Sequence, residues 1–158
     1  VDGITIVTGG THSRDLSWVQ YNTIDEWGYI DLPFSNKKPS EGIFSCAYND
    51  KATVYVGGDY ANDKRADSTA VYWQSDGSHI GGPAHLSKIP PAGFQSCVEY
   101  IKDETFLSTG TPGSHLTTDS GKTWVKIDDT SYNVCRKAKH GNLVLLAGNG
   151  GKIGILKP

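Results

Sequence analysis

Apolar residues along this chain fall in short runs of at most five positions, broken by glycine and by small polar residues. Three stretches follow one pattern. Gly42-Ile43-Phe44-Ser45-Cys46-Ala47-Tyr48 leads to Thr53-Val54-Tyr55-Val56-Gly57-Gly58. Gly93-Phe94-Gln95-Ser96-Cys97-Val98-Glu99 leads to Thr105-Phe106-Leu107-Ser108-Thr109-Gly110. Ser131-Tyr132-Asn133-Val134-Cys135-Arg136 leads to Leu143-Val144-Leu145-Leu146-Ala147-Gly148. Each predicts a strand, a turn, a second strand and a glycine turn, with the cysteines at one equivalent position. Ile4-Thr5-Ile6-Val7-Thr8-Gly9-Gly10 matches only the second strand and its turn.

A third strand is predicted after each glycine turn, at Leu16 to Tyr21, Thr69 to Trp73, Ser114 to Thr117 and Lys152 to Leu156. A turn bearing Asp25, Asp76 or Asp119 then introduces a short fourth strand in the first three units. Helical periodicity is missing throughout. The prediction is an all-β chain, and units of about 40–50 residues with four short strands are the mark of a β-propeller. The chain then reads as a single propeller segment over 1–158, with about three to four blades of a larger propeller. It divides into a partial unit at 1–35, units at 40–89 and 92–128, and a partial unit at 131–158. An all-β solenoid or sandwich is the alternative, but a sandwich does not require equivalent Ser-Cys positions in each unit.

The clearest motif is Thr117-Thr118-Asp119-Ser120-Gly121-Lys122-Thr123-Trp124, which fits the Asp-box pattern S/T-x-D-x-G-x-T-W. An aspartate here accepts backbone N–H bonds within its own hairpin turn. Gly121 permits a positive φ, Thr123 supports the turn, and Trp124 buries its ring between sheets. Thr117, Asp119, Gly121, Thr123 and Trp124 are therefore read as structural. Gln74-Ser75-Asp76-Gly77 and Thr23-Ile24-Asp25-Glu26-Trp27-Gly28 look like decayed copies.

These residues resemble a known group. Gly42-Ile43-Phe44-Ser45 with Gly57-Gly58-Asp59-Tyr60, Pro90-Pro91-Ala92-Gly93-Phe94-Gln95-Ser96-Cys97-Val98 and the Asp-box carry the likeness. So do Cys135-Arg136-Lys137-Ala138-Lys139 and Leu146-Ala147-Gly148-Asn149-Gly150-Gly151-Lys152-Ile153. Together they look like the C-terminal half of bacterial Asp-box (BNR-repeat) propellers, of sialidase-like fold, related to the photosystem II stability/assembly factor. The likeness covers residues 40–158 well and 1–40 loosely. Members are about twice this length, which implies further blades at the N-terminal side. Many are exported, which implies a periplasmic or secreted location. Many carry the description oxidoreductase, without a reaction that the likeness establishes.

Composition narrows the function. Fifteen basic residues against seventeen acidic ones give a net charge of −2. No basic field is available to grip a phosphate backbone, so nucleic acid is disfavoured as a partner. The longest apolar run, Leu143 to Ala147, is strand-sized, so no membrane span is expected. Met is absent and the chain starts at Val1, which reads as a removed signal peptide, a proteolytic cut or a partial sequence.

Candidate chemistry is sparse. Cys46, Cys97 and Cys135 form no C-x-x-C pair, and strand alternation puts them in the core as small hydrophobes. A Cys46–Cys97 bridge is the alternative. His12, His79, His85, His115 and His140 lack metal-ligand spacing, so no metal site is assigned. Gly148-Asn149-Gly150-Gly151 follows no βαβ pattern and reads as a turn, so no cofactor is assigned. Sialidase-type hydrolysis calls for an arginine cluster, and only Arg14, Arg65 and Arg136 are present. Glu99 and Tyr100 are adjacent on a strand and point to opposite faces.

The binding candidates are polar residues near first strands and turns: Asp59, Tyr60, Glu99, Arg136 and Lys137. The reading is a non-enzymatic scaffold for a protein or glycan partner. A sialidase-like glycoside hydrolase and an oxidoreductase stand as alternatives. Unfinished units at both ends predict that missing blades come from another chain or a second copy.

Overall fold

The structure is a computed structural model that describes residues 16–20, 27–35, 37–74 and 83–157. The segment Ile4 to Gly10, the turns at Asp25 and Asp76, and Arg14, His12 and His79 lie outside the described residues.

The fold is all-β. β1 (Leu16–Gln20) and β2 (Trp27–Asp31) pair antiparallel. A four-stranded sheet follows, with β3 (Glu41–Tyr48), β4 (Ala52–Asp59), β5 (Ala70–Gln74) and β6 (His85–Leu86) in sequential order. A second four-stranded sheet holds β7 (Gln95–Lys102), β8 (Thr105–Gly110), β9 (Gly113–Thr117) and β10 (Val125–Asp128). The third sheet has β11 (Val134–Lys137), β12 (Val144–Gly148) and β13 (Lys152–Leu156). Every pairing within these sheets is antiparallel. Among the described residues no pairing closes the sheets into a ring.

The sheets stack face to face, and strand alternation decides which side chain serves which interface. Val54, Val56 and Tyr72 of the first four-stranded sheet meet Val98, Phe106 and Trp124 of the second. On the opposite face of the same strands, Tyr55 and Val71 pack under Leu32 and Phe34, in the segment that follows β2. The second sheet turns Cys97, Ile101 and Leu107 toward Tyr132, Cys135, Val144 and Leu146 of the third. β4 is consequently buried at every position. Its run of β-branched and aromatic residues suits a strand covered on both faces.

Two equivalent glycines set the close approach at the start of each unit. A Cβ on Gly57 would stand 1.9 Å from the Gly42 carbonyl oxygen, and one on Gly110 would stand 2.1 Å from that of Phe94. Near the same points β3 and β7 each carry a register shift, between Ile43 and Ser45 and between Gln95 and Cys97. The bulge bends the first strand against the second, and only a residue without a side chain fits beneath it.

Three expectations are corrected. β11 begins at Val134 rather than Ser131, because Tyr132 leaves the strand to fill the core between the second and third sheets. The charged loop from Ala61 to Ser68, whose length and charge read as solvated surface in the sequence, is exposed or half-exposed throughout but is tied down. Arg65 bonds Asp67 through two parallel N–H···O contacts of 2.7 Å and also pairs with Glu41. The Asp63 carbonyl accepts from Phe94 N at 2.9 Å, which ties the loop to the next sheet. Of the three cysteines, Cys97 and Cys135 are buried as expected, but Cys46 is only half-buried.

Candidate functional site

β3, β7 and β11 are the first strands of their sheets, and they lie side by side in the same direction. Ser45 and Ser96 join them, and the expected equivalence of the Ser-Cys positions is corrected by one residue: Cys97 takes the ladder place of Ser45, while Ser96 falls in the bulge as Phe44 does. Ser45 Oγ accepts from Val98 N at 3.1 Å, and Ser96 Oγ donates to the Asn133 carbonyl at 2.8 Å. Each hydroxyl thus satisfies a backbone group of the following unit, within β7 for Val98 and just before β11 for Asn133.

The C-terminal ends of these strands enclose an open concavity of about 360 Å³. Cys46, Ala47 and Tyr48 line it from β3, Glu99 and Tyr100 from β7, and Lys137 to Lys139 from the end of β11 and its turn. The Ala138 N–H bonds to the Leu143 carbonyl at 2.8 Å, closing that turn. Arg136 Nη1 donates to Glu99 Oε2 at 2.8 Å across the β7–β11 seam. This hydrogen bond to Glu99, with the charge on Cys97, raises the Arg136 guanidinium above its ordinary value. Among the described residues no ion pair engages Lys137 or Lys139. The cleft therefore presents two lysine charges beside one neutralised pair, with the tyrosines Tyr48 and Tyr100 at its wall. Such a surface attracts anionic groups and offers ring faces for stacking.

The five predicted binding residues separate into two places. Glu99 and Lys137 line this cleft, and Arg136 is joined to it through its bond to Glu99. Asp59 and Tyr60 stand at the opposite end of β4, beside the start of β3. Asp59 Oδ1 accepts from the N–H groups of Ala61 and Asn62 at 3.0 and 3.3 Å, capping a single 3-10 turn. A hydrogen bond from Ser40 lowers its pKa most, against burial, and Lys38 assists at 3.4 Å. The Asp59 carboxylate is 2 % exposed and committed to the chain itself. Tyr60 is exposed and joins Phe44 and Phe94 in edge-to-face contacts with centroids 4.8–6.3 Å apart.

The Asp-box turn lies elsewhere again. Asp119 Oδ1 accepts from Thr117 Oγ1 at 2.7 Å and Thr123 N at 2.9 Å, and Oδ2 accepts from Thr123 Oγ1 at 2.6 Å. Burial pushes this carboxyl up, but the hydrogen bonds from Thr123 and Thr117 outweigh it and the net shift is downward. Gly121 takes φ of 89°. Trp124 Nε1 donates to the Gly121 carbonyl at 3.2 Å and to Ser87 Oγ at 3.3 Å, while its ring fills the core between the first two four-stranded sheets. Lys88 N and Trp124 N further bond the turn to the connector between those sheets. Both carboxylate oxygens of the motif's aspartate are spent on holding the hairpin.

Tyr48 and Lys139 join the cleft with no motif to announce them, although Lys139 follows Lys137 within the conspicuous Cys135 to Lys139 stretch. The Ser seam had only a partial signal, since Ser45 and Ser96 each precede a cysteine in sequence but take different places in the ladder. Among the described residues no three His, Cys, Asp or Glu side chains group as a metal would require. No helix of the described residues is long and apolar enough to cross a membrane. Comparison with family models finds no match, and neither does comparison with curated proteins.

Proposed function

We propose that this chain is a segment of a β-propeller, and that it serves as a non-enzymatic scaffold whose cleft at the ends of β3, β7 and β11 binds an acidic protein or glycan partner. Sequential four-stranded sheets, stacked by their faces with first strands adjacent, support the propeller reading. The observation that carries the binding reading is the cationic cleft itself. Lys137 and Lys139 face it beside the Arg136–Glu99 pair, and the aspartate of the best motif is consumed by its own turn. Arg65 and Arg136 are held by different carboxylates on different sheets, which counts against a sialidase-like arginine cluster.

The proposal extends to assembly. The outer face of the third sheet exposes Leu145, Ile153 and Ile155, where the first two four-stranded sheets bury the corresponding apolar positions. A further sheet from another chain or a second copy would cover it, as the third sheet covers the second. Export to the periplasm or the exterior belongs to the same reading.

Binding to an array of acidic and neutral glycans and acidic peptides tests the cleft. Lys137→Glu with Lys139→Glu should weaken binding of acidic ligands at least about tenfold, with binding also falling at high salt. Turnover of a glycoside or redox substrate that Arg136→Ala abolishes would instead establish an enzyme.

A further inference from the structure

A pair of thiols lies outside the proposed binding cleft. Cys97 in β7 and Cys135 in β11 stand on neighbouring first strands, one ladder step apart in the repeat, so that they face each other across one interface, and both are unbridged. They are 4 % and 0 % exposed, within a cluster that includes Ile101, Leu107, Val144 and Leu146. Cys97 Sγ lies 3.4 Å from the Cys135 carbonyl oxygen. Cys135 Sγ reaches the Leu107 carbonyl at 3.6 Å. Arg136 Nη1 stands 3.9 Å from Cys97 Sγ and is the same nitrogen that Glu99 holds.

This environment makes the two sulfurs unequal. The hydrogen bond from the Cys135 thiol, the nearby Cys135 backbone and the Arg136 charge bring the Cys97 thiol below its ordinary range, against the opposing effect of burial. Cys135 is pushed the other way by its bond to Cys97 and by burial. With the Arg136 cation 3.9 Å away, Cys97 is thus the sulfur that gives up its proton more readily, and Cys135 is the neighbour that keeps its own. Half-buried Cys46 has its thiol raised by burial.

We propose that Cys97 and Cys135 are an oxidisable dithiol whose reactant is a small hydroperoxide. The Cys97 thiolate attacks the terminal peroxide oxygen, the O–O bond breaks, and the leaving oxygen takes a proton from water as alcohol or water. Cys97 becomes a sulfenic acid. Cys135 then attacks the Cys97 sulfur, an S–S bond forms, the S–O bond breaks, and water leaves with the Cys135 proton. Two thiols and one hydroperoxide give one disulfide, one alcohol and one water, with the peroxide reduced by the electrons the two sulfurs lose. The burial of Cys97 selects for a small reactant, which approaches along the Arg136 and Glu99 side chains, 66 % and 21 % exposed. The product ties β7 to β11 covalently.

The experiment treats the whole chain with hydrogen peroxide at neutral pH, unfolds it in an alkylating agent, and maps the peptides by mass. The expected product is a Cys97–Cys135 linked peptide with Cys46 fully alkylated. Cys135→Ser should trap a sulfenic acid on Cys97 that a dimedone probe captures, and Cys46→Ser should leave the linkage unchanged. Arg136→Gln should slow capture several-fold. Recovery of Cys97 and Cys135 as alkylated thiols, a Cys46–Cys97 link, or sulfenic acid first on Cys46 would each overturn the proposal. The map of the unsubstituted chain decides the matter even where a cysteine variant fails to fold.

Discussion

The seam between the first two four-stranded sheets and the outer face of the third sheet are built from the same repeat, yet one is closed and the other open. At the seam, Val54, Val56, Phe106 and Trp124 are buried, and the Asp-box turn is tied to the connector by backbone bonds. On the outer face, Ile153 is 74 % and Ile155 58 % exposed. β12 alternates between buried Val144 and Leu146 and exposed Leu145, whereas β4 is buried throughout. The difference teaches that each sheet of this repeat completes only one of its faces by itself. A strand's apolar character on its second face has value only where a neighbouring sheet covers it.

The largest effect should come from opening the closed seam. Trp124→Ala should cost about 3–5 kcal/mol in urea unfolding, through the lost burial and the cavity left against Val54 and Tyr72. Asp119→Ala removes the acceptor for three donors in the turn and should cost about 2 kcal/mol, leaving the β12–β13 hairpin unaffected by amide exchange. His115 gives the seam a pH dependence. Its Nε2 accepts from Ala92 N at 3.1 Å in the connector, and burial, aided by the Lys126 charge, lowers its pKa to about 4. The folded chain therefore refuses a proton that the unfolded chain accepts below its ordinary value of 6.5. Stability from this group is complete above about pH 6.5 and is lost as pH falls toward 4, by about 1–2 kcal/mol, and His115→Gln should flatten that slope. The smallest effect belongs to the open face. Ile153→Ser should change the stability of the isolated chain by less than about 0.5 kcal/mol. The same change should abolish association seen by sedimentation if a further sheet docks there, and equal sedimentation of both proteins would sharpen the contrast in the other direction.

Much of the sheet order is readable in the sequence, because the repeat is written twice over. Alternation marks the strands, and glycines mark the places where the second strand presses against the first. The predicted third strands at Lys152 to Leu156 and Ser114 to Thr117 match β13 and β9 within a residue. Errors cluster where tertiary contacts overrule local pattern. Tyr132 reads as the second residue of a strand, but its ring is worth more in the core between sheets than in an edge ladder. The Ala61 to Ser68 loop reads as solvent-facing because its charges are visible in the sequence, while the carboxylates that pair with Arg65 come partly from β3. The cleft is less legible still. Glu99, Arg136 and Lys137 stand out as charged residues on otherwise apolar strands, but Tyr48 becomes a wall residue only because β3 ends beside β7. No spacing rule along a single chain encodes that adjacency.

The serine seam bears on solubility. The first strand of each sheet is an edge, and an edge with free N–H and C=O groups is a template on which a foreign strand can grow. Ser45 and Ser96 occupy the amide of Val98 and the carbonyl of Asn133 with side-chain hydroxyls. Those two backbone groups are thereby taken out of reach of any invading strand. A chain assembled from many short sheets carries many such edges, and the hydroxyls of Ser45 and Ser96 each withdraw one backbone group at such an edge from aggregation.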